Sequence, residues 1–264
     1  METKINYETI KLDVEGAVAQ IRFNRPKSMN ALNETMMKEF LNCLKDICVN
    51  DDVNIVVLKG EGGAFSSGGD IKEMLSGWDE KQFFSIMDTI NELVMTLYNM
   101  PKVTIASIHG AAAGLGLSLA LAADYVIADE EAKLAMNFIG IGLIPDGGGH
   151  FMLERRVGES KAKQIIWDGK VMNGQEAVEA GIIDTSAPSG TLDQEVDKLL
   201  EKYRAKPLQA MIKTKKILAE MNRQTLIKTL ELEKNGQLRM RGTEDHQEGV
   251  KAFLEKRKPD FKGR

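Results

Sequence analysis

A chain of 264 residues with ordinary hydrophobic content can bury a large core in one domain, and nothing in its composition suggests disorder. Thirty-five basic residues against 39 acidic ones leave a net charge of −4, which gives no whole-chain footprint for a nucleic-acid partner. Met1 to Tyr7 mixes charges without an apolar run, and no apolar segment reaches the roughly 20 residues that span a bilayer, so the expectation is a cytoplasmic protein with no membrane partner.

Ile10 to Val14 and Ala17 to Phe23 alternate around Glu15-Gly16, a two-residue hairpin signal at a sheet edge. The run Asn24-Arg25-Pro26-Lys27-Ser28-Met29-Asn30-Ala31-Leu32-Asn33 then turns away from the sheet, and Asn33 is placed to cap a helix reaching about Val49. Cys43 and Cys48 lie five apart on that helix and read as reduced packing residues rather than a disulfide. Val53 to Leu58 is a short buried strand. A Gly-rich loop from Gly62 to Lys72 follows, then a helix from about Asp79 to Tyr98 that Pro101 ends.

The apolar run Val103 to Ile108 leads into His109-Gly110-Ala111-Ala112-Ala113-Gly114, a turn that opens an apolar helix at Leu115. A helix start leaves backbone N–H groups unpaired, and these favour developing negative charge. The strand-like Asp124 to Ala128 and a third Gly-rich turn, Gly142-Leu143-Ile144-Pro145-Asp146-Gly147-Gly148-Gly149, complete this central stretch. Strands alternating with helices indicate parallel βαβ units.

Past Gly149 helical segments succeed one another: Phe151 to Val157, Ser160 to Trp167, Gly174 to Ala180, Leu192 to Lys206, Leu208 to Met221, Arg223 to Arg239 and Glu244 to Glu255. Only Ile182 to Asp184 resembles a strand. The expected organisation is an α/β core over residues 1–190 and a helical region over 191–264, joined as one continuous fold without an internal sequence repeat.

Five pieces in register resemble the enoyl-CoA hydratase/isomerase family, the crotonases. They are Asn24-Arg25-Pro26-Lys27 with Met29-Asn30-Ala31-Leu32; Ala64-Phe65-Ser66-Ser67-Gly68-Gly69-Asp70; His109-Gly110 with Gly114 and Gly116; Ile144-Pro145-Asp146-Gly147-Gly148; and Glu248-Gly249-Val250-Lys251-Ala252-Phe253-Leu254-Glu255-Lys256-Arg257. Within the family, Gly142 to Asp146 and Ala111 to Gly114 look most like the 1,2-epoxyphenylacetyl-CoA isomerase branch. The resemblance implies a spiral of ββα units with a C-terminal helical trimerisation region, assembled as a homotrimer or a dimer of trimers. It also implies an acyl-CoA substrate, with no cofactor beyond its coenzyme A moiety and no metal.

By the same resemblance, the N–H groups of Gly69 and Leu115 converge on the thioester oxygen as an oxyanion hole, worth a few kcal/mol per donor. Arg25, Lys27, Met29 and Ala31 lie in the loop that contacts the coenzyme A in the family. Ala64, Ser67, Gly68, Asp70, Ile71 and Lys72 belong to the first oxyanion loop, Gly114 to the second, and Phe253 and Lys256 close over the nucleotide, commonly from a neighbouring subunit. Phe138, with Met74, Phe83, Phe84 and Met87, is a candidate for the acyl pocket wall.

Two positions depart from the hydratases. Where a hydratase carries the two glutamates that hold and activate water, this chain has Ser118 and Phe138, neither of which is a base near neutral pH. Asp146 remains. A single carboxylate can take a proton from one carbon and return it to another, which is what double-bond migration needs. The same aspartate could cap the following helix, in place of that role or together with it, and at a helix N-terminus it is expected to stay ionised near neutral pH and so be available as a base. Three functions stay open: an enoyl-CoA isomerase using Asp146, a hydratase recruiting another carboxylate or a water network, and a non-catalytic acyl-CoA binder. Asp70 reads as a loop holder, His109 and His150 as structural histidines, and Ser118 as a helix hydroxyl without a base.

Overall fold

The computed structural model describes residues 7–74 and 79–264, with the backbone alone at Lys72 and Met74. Met1 to Asn6 and the side chains of Lys72 and Met74 therefore lie outside the described residues. Of the expected leader-free N-terminus, only Tyr7 is described.

The chain opens with the antiparallel hairpin β1 (Ile10–Glu15) and β2 (Val18–Phe23), closed at Gly16, whose φ is +57°. Helix α1 (Glu34–Cys48) is capped by the Asn33 side chain, which accepts Met36 N–H, and its apolar face buries Met36, Phe40, Leu44 and Ile47. From there the backbone coils. Strands β3 (Ile55–Gly60) and β4 (Ala64–Ser66) precede α2 (Ile71–Met74) and α3 (Glu80–Asn99). Strands β5 (Val103–Ile108) and β6 (Ala111–Ala113) precede α4 (Leu115–Leu121), and β7 (Tyr125–Asp129) and β8 (Lys133–Ala135) precede a 3-10 turn, Ile139–Ile141. In each turn of the coil the first strand joins a six-stranded sheet ordered β1-β2-β3-β5-β7 and closed by a last strand at Thr185–Ala187, and the second joins a three-stranded sheet ordered β4-β6-β8. The two sheets advance together in parallel register, which is how a ββα unit repeats without any sequence repeat.

The three-residue strands β4 and β6 lie within the stretches expected as Gly-rich turns, β8 falls where no element was expected, and β9 (Thr185–Ala187) lies just beyond the expected Ile182–Asp184. Ile182 and Ile183 are instead tied by their N–H groups to Ala177 O, in the turn after α7 (Gly174–Glu179). Helices α5 (Gly149–Val157) and α6 (Glu159–Asp168) follow the 142–149 turn.

Helix α8 (Leu192–Arg204) covers the far face of the large sheet, where Val196, Leu199 and Leu200 share one buried cluster with Val57, Ile105 and Ile127. The two helices expected over 208–221 and 223–239 are one, α9 (Leu208–Arg241), of 34 residues. Asn222 does not break it, because its Nδ2 donates to Leu218 O one turn back. Leu226 and Leu230 of α9 belong to the central hydrophobic cluster, so the helical region is built into the core rather than attached to it. Helix α10 (Glu244–Glu255) packs on the 139–141 turn. Cys43 and Cys48 are free thiols, and no helix among the described residues is long and apolar enough to cross a membrane.

Candidate active site

Three segments meet at the start of α4. Gly68 has a φ of +94°, and a Cβ placed on it would lie 2.7 Å from Ala113 O and 3.4 Å from Leu115 N, so the 67–70 loop rests directly on the helix terminus. Gly147 approaches the same residue, since a Cβ there would fall 2.4 Å from Leu115 Cδ1. The Phe138 ring stands 3.6 Å from where a Cβ on Gly114 would be.

The two backbone donors are exposed by the local hydrogen-bond pattern. Leu32 N–H donates to Gly68 O at 2.8 Å and Asp70 N–H to Leu32 O at 3.1 Å, which leaves the intervening Gly69 N–H outside the ladder. Leu115 is the first residue of α4, and Gly114 before it has no side chain to cap the terminus. Among the described residues no acceptor pairs with either N–H.

Buried polar groups hold this loop in shape. Asn30, fully buried with a φ of +54°, donates from Nδ2 to Glu61 O and Ala64 O and accepts Arg25 N–H. Ser66 Oγ donates to Asn30 O at 2.8 Å and accepts Gly68 N–H at 3.2 Å. Arg25 Nη1 pairs with Asp70 Oδ2 at 2.9 Å and also donates to Ala31 O, so its guanidinium pins the loop. Sequence reasoning placed Arg25 and Asp70 here but did not single out Asn30 or Ser66. Ala64 is buried, Ser67 and Ile71 are half-buried, and Lys27 and Met29 are exposed beside them.

Other candidates lie apart. Phe253 and Lys256 are exposed at the end of α10, and no hydrogen bond or ion pair ties them to the 24–33 or 62–72 loops among the described residues. Phe83 and Met87 are buried on α3, while Phe84 is half-buried and flanked by Lys234 Nζ at 5.8 Å from its ring centroid. Ser118 is fully buried, with Oγ 3.4 Å from Gly114 O and 3.7 Å from Met136 S, and has no base beside it. His109 Nε2 lies 2.9 Å from Gly62 O, linking two of the glycine turns.

Asp146 does not cap α5. That task falls to Glu233, reaching across from α9: Oε2 accepts Gly148 N–H at 2.7 Å, and Oε1 accepts His150 N–H at 3.0 Å and lies 2.8 Å from His150 Nδ1. Asp146 Oδ1 is shielded from solvent without a partner, and Oδ2 receives a long bond of 3.4 Å from Gln237 Nε2. Burial, and then the like charge of Glu233, push the Asp146 carboxyl up to about 8. The expected ionised aspartate is thus corrected: Glu233 takes the positive helix end, and Asp146 is left with desolvation and repulsion.

Glu233 and Gln237 were not found from the sequence, although a signal existed. They continue the stripe Leu226, Leu230 on the buried face of α9, where a carboxylate needs a reason to be.

The profile of the family described as "Enoyl-CoA hydratase/isomerase" matches residues 13–264. The Bacillus subtilis (strain 168) protein YhaR, provisionally named an enoyl-CoA hydratase/isomerase, is 50% identical over 254 residues, covering 96% of this chain and 99% of that protein. The 1,2-epoxyphenylacetyl-CoA isomerase of Escherichia coli (strain K12) is 33% identical over 260 residues, with 97% and 99% covered. Among solved structures, an enoyl-CoA hydratase from Mycobacterium avium subsp. paratuberculosis K-10 superposes with a TM-score of 0.88 at 30% identity, covering 97% of this chain and all of that one. Identity to isomerase and hydratase is nearly equal, so the reaction must be argued from the site.

Proposed function

Given that this chain belongs to the enoyl-CoA hydratase/isomerase family and has its crotonase fold, we propose that it moves the double bond of an enoyl-CoA thioester, with Asp146 as the group that carries the proton. One observation carries this reading. Asp146 Oδ1 is a shielded carboxyl oxygen without a partner, one residue before Gly147, which packs on Leu115 at the start of α4, and the hydratase glutamate positions hold Ser118 and Phe138.

The thioester oxygen sits between Gly69 N–H and Leu115 N–H, and the coenzyme A follows the loop from Arg25 to Ala31. Ionised Asp146 takes a proton from C2 of a 3-enoyl thioester; the C–H electron pair moves into C1–C2, and negative charge appears on the thioester oxygen, where the two donors stabilise it. When the carbonyl re-forms, the electrons shift to make C2=C3, and C4 receives the same proton back from Asp146. Nothing is gained or lost overall.

A hydratase has one observation in its favour, since Glu233 is a second carboxylate near Asp146. Its two oxygens, however, already serve Gly148 and His150, which leaves it poorly placed to activate water. Assaying 3-enoyl-CoA to 2-enoyl-CoA conversion and crotonyl-CoA hydration in parallel tests the choice. Migration should dominate, and efficient hydration without migration overturns the isomerase.

Because the free enzyme must first lose its Asp146 proton to act on a 3-enoyl substrate, kcat/KM should rise with pH and level off above about 8. A flat profile across that range would remove the base role.

Assembly completes the proposal. Ile217, Leu218, Met221 and Leu232 on α9 and Phe253 and Leu254 on α10 are each more than half exposed. A homotrimer or dimer of trimers in the cytoplasm would cover such a face and let Phe253 and Lys256 reach a neighbour's nucleotide site. Light scattering at micromolar concentration should show the trimer or its dimer, and a stable monomer would refute it.

A further inference from the structure

The stretch of α9 that faces the Asp146 loop is built to fit it at three points on one side of the helix. Glu233 holds the start of α5 through Gly148 and His150. Gly236, one turn on, leaves room for Ile144: a Cβ on it would fall 2.4 Å from Ile144 Cδ1. Glycine inside a long helix costs about 1 kcal/mol relative to alanine, so close packing is a physical return for its presence. Gln237 is 3% exposed and donates from Nε2 to Ile144 O at 2.5 Å and, at 3.4 Å, to Asp146 Oδ2. The spacing 233, 236, 237 is the i, i+3, i+4 pattern of a single helix face.

The consequence for Asp146 is an asymmetric carboxyl. Oδ2 has a fixed donor, whereas Oδ1 is buried without one. A carboxyl oxygen left without a partner in a shielded site costs free energy unless it carries a proton or meets one. Resting on the isomerase reading above, we infer that Gln237 is a positioning residue: it holds Oδ2 so that Oδ1, once ionised, exchanges the proton with the acyl group, and Glu233, fixed on the same helix face by Gly148 and His150, is the neighbouring charge.

The surroundings hold few other charges. From α9, Glu233 faces Asp146, and Arg241 lies one turn beyond Gln237 with its guanidinium carbon 5.3 Å from the centre of the Phe83 ring. From α5 comes His150, bound to Glu233. From α10, His246 is turned to Ile141 O at 2.8 Å. The groups that α3 and α4 set against the glycine turn, Ile90, Val94, Leu115 and Ser118, do not titrate near neutral pH. Burial is the larger cause of the upward shift and Glu233 the charged group that adds to it; the backbone N–H of Asp146 opposes both, and Gln237 offers a further donor, to Oδ2.

The two residues therefore pull in opposite directions, and that supplies the test. The midpoint of Asp146 titration would be read twice in each protein: from the pH profile of kcat/KM for 3-enoyl-CoA isomerisation, and from the protonated-carboxyl infrared band that Asp146→Asn removes. Gln237→Met should raise the midpoint by about one pH unit and lower kcat/KM at neutral pH by about tenfold, with activity recovering at higher pH. Glu233→Gln should lower the midpoint by a similar amount, because it removes a negative charge. Gln237→Asn, which keeps an amide donor on a shorter stem, should fall between wild type and Gln237→Met and stands in if the latter does not fold.

A purely structural role would lower stability in these variants without moving the midpoints apart. Midpoints that stay put, or move the same way, overturn the inference while Asp146→Asn is inactive. If Asp146→Asn keeps full isomerase activity, the underlying assignment of the acid/base fails instead.

Discussion

Asp146→Asn should reduce isomerisation by about a hundred- to ten-thousand-fold, the range for removing a positioned acid or base, while the folded protein remains at least as stable as wild type near neutral pH. The second half follows from linkage. Asp146 sits at about 8 in the folded chain, against about 3.9 for an aspartate in an unfolded one. The fold thus binds this proton more tightly than the unfolded chain does. Its contribution to stability is fully present below about pH 4 and is lost as pH rises through about 8. Asparagine cannot ionise, so the variant should lose less stability than wild type between neutral and alkaline pH. Denaturant midpoints measured at both ends, beside the rates, check both claims. An Asp146→Asn protein that isomerises at the wild-type rate would remove Asp146 from the chemistry.

Gly69→Pro should abolish turnover by a different route. Proline deletes the N–H proposed to meet the thioester oxygen, and loss of one such donor costs about a hundred- to a thousand-fold. In the resting protein that N–H joins no ladder, because Leu32 pairs through Gly68 O and Asp70 N–H on either side. The substitution therefore breaks no existing hydrogen bond. Binding of acyl-CoA should persist through the 24–33 loop, detectable by calorimetry, while kcat collapses. Folded Gly69→Pro protein with a wild-type rate would show that the donor is another group.

Most of the fold could be read where local chemistry decides structure. Glu15-Gly16 forces a hairpin, and Asn33 and Asp79 cap the helices that they precede, each through a side-chain oxygen accepting a first-turn N–H. The small sheet was not legible, because three residues in an alanine- or glycine-rich stretch hold no periodicity. Ala111–Ala113 becomes a strand only when Ala64–Ser66 and Lys133–Ala135 flank it.

The site divided in the same way. The Gly-rich turns at 62–72 and 109–116 stood out in the sequence, and the oxyanion role proposed for them came from the family resemblance. The upward shift of the Asp146 carboxyl did not, because it comes first from burial in the folded chain and then from Glu233, which is 87 residues away and sits in a helix whose neighbours Glu231 and Lys234 look like ordinary surface charge. Only the alignment of Leu226, Leu230, Glu233 and Gln237 on one buried face marked it.

The way Gly147 and Gly149 close over Ser118 bears on how this site could change over generations. A Cβ on Gly149 would lie 2.9 Å from Ser118 Oγ, and one on Gly147 3.3 Å from Ser118 Cβ, with Met136 S filling the remainder. A glutamate at 118 would have to place three more heavy atoms and a charge in that space, next to two carboxyl groups already in conflict. Restoring the hydratase residue by itself would therefore damage the protein before it conferred anything. Room for a longer acid at 118 would have to be made by changing Met136 or the path of the 147–149 turn at the same time, so the serine and the glycines form one packing unit.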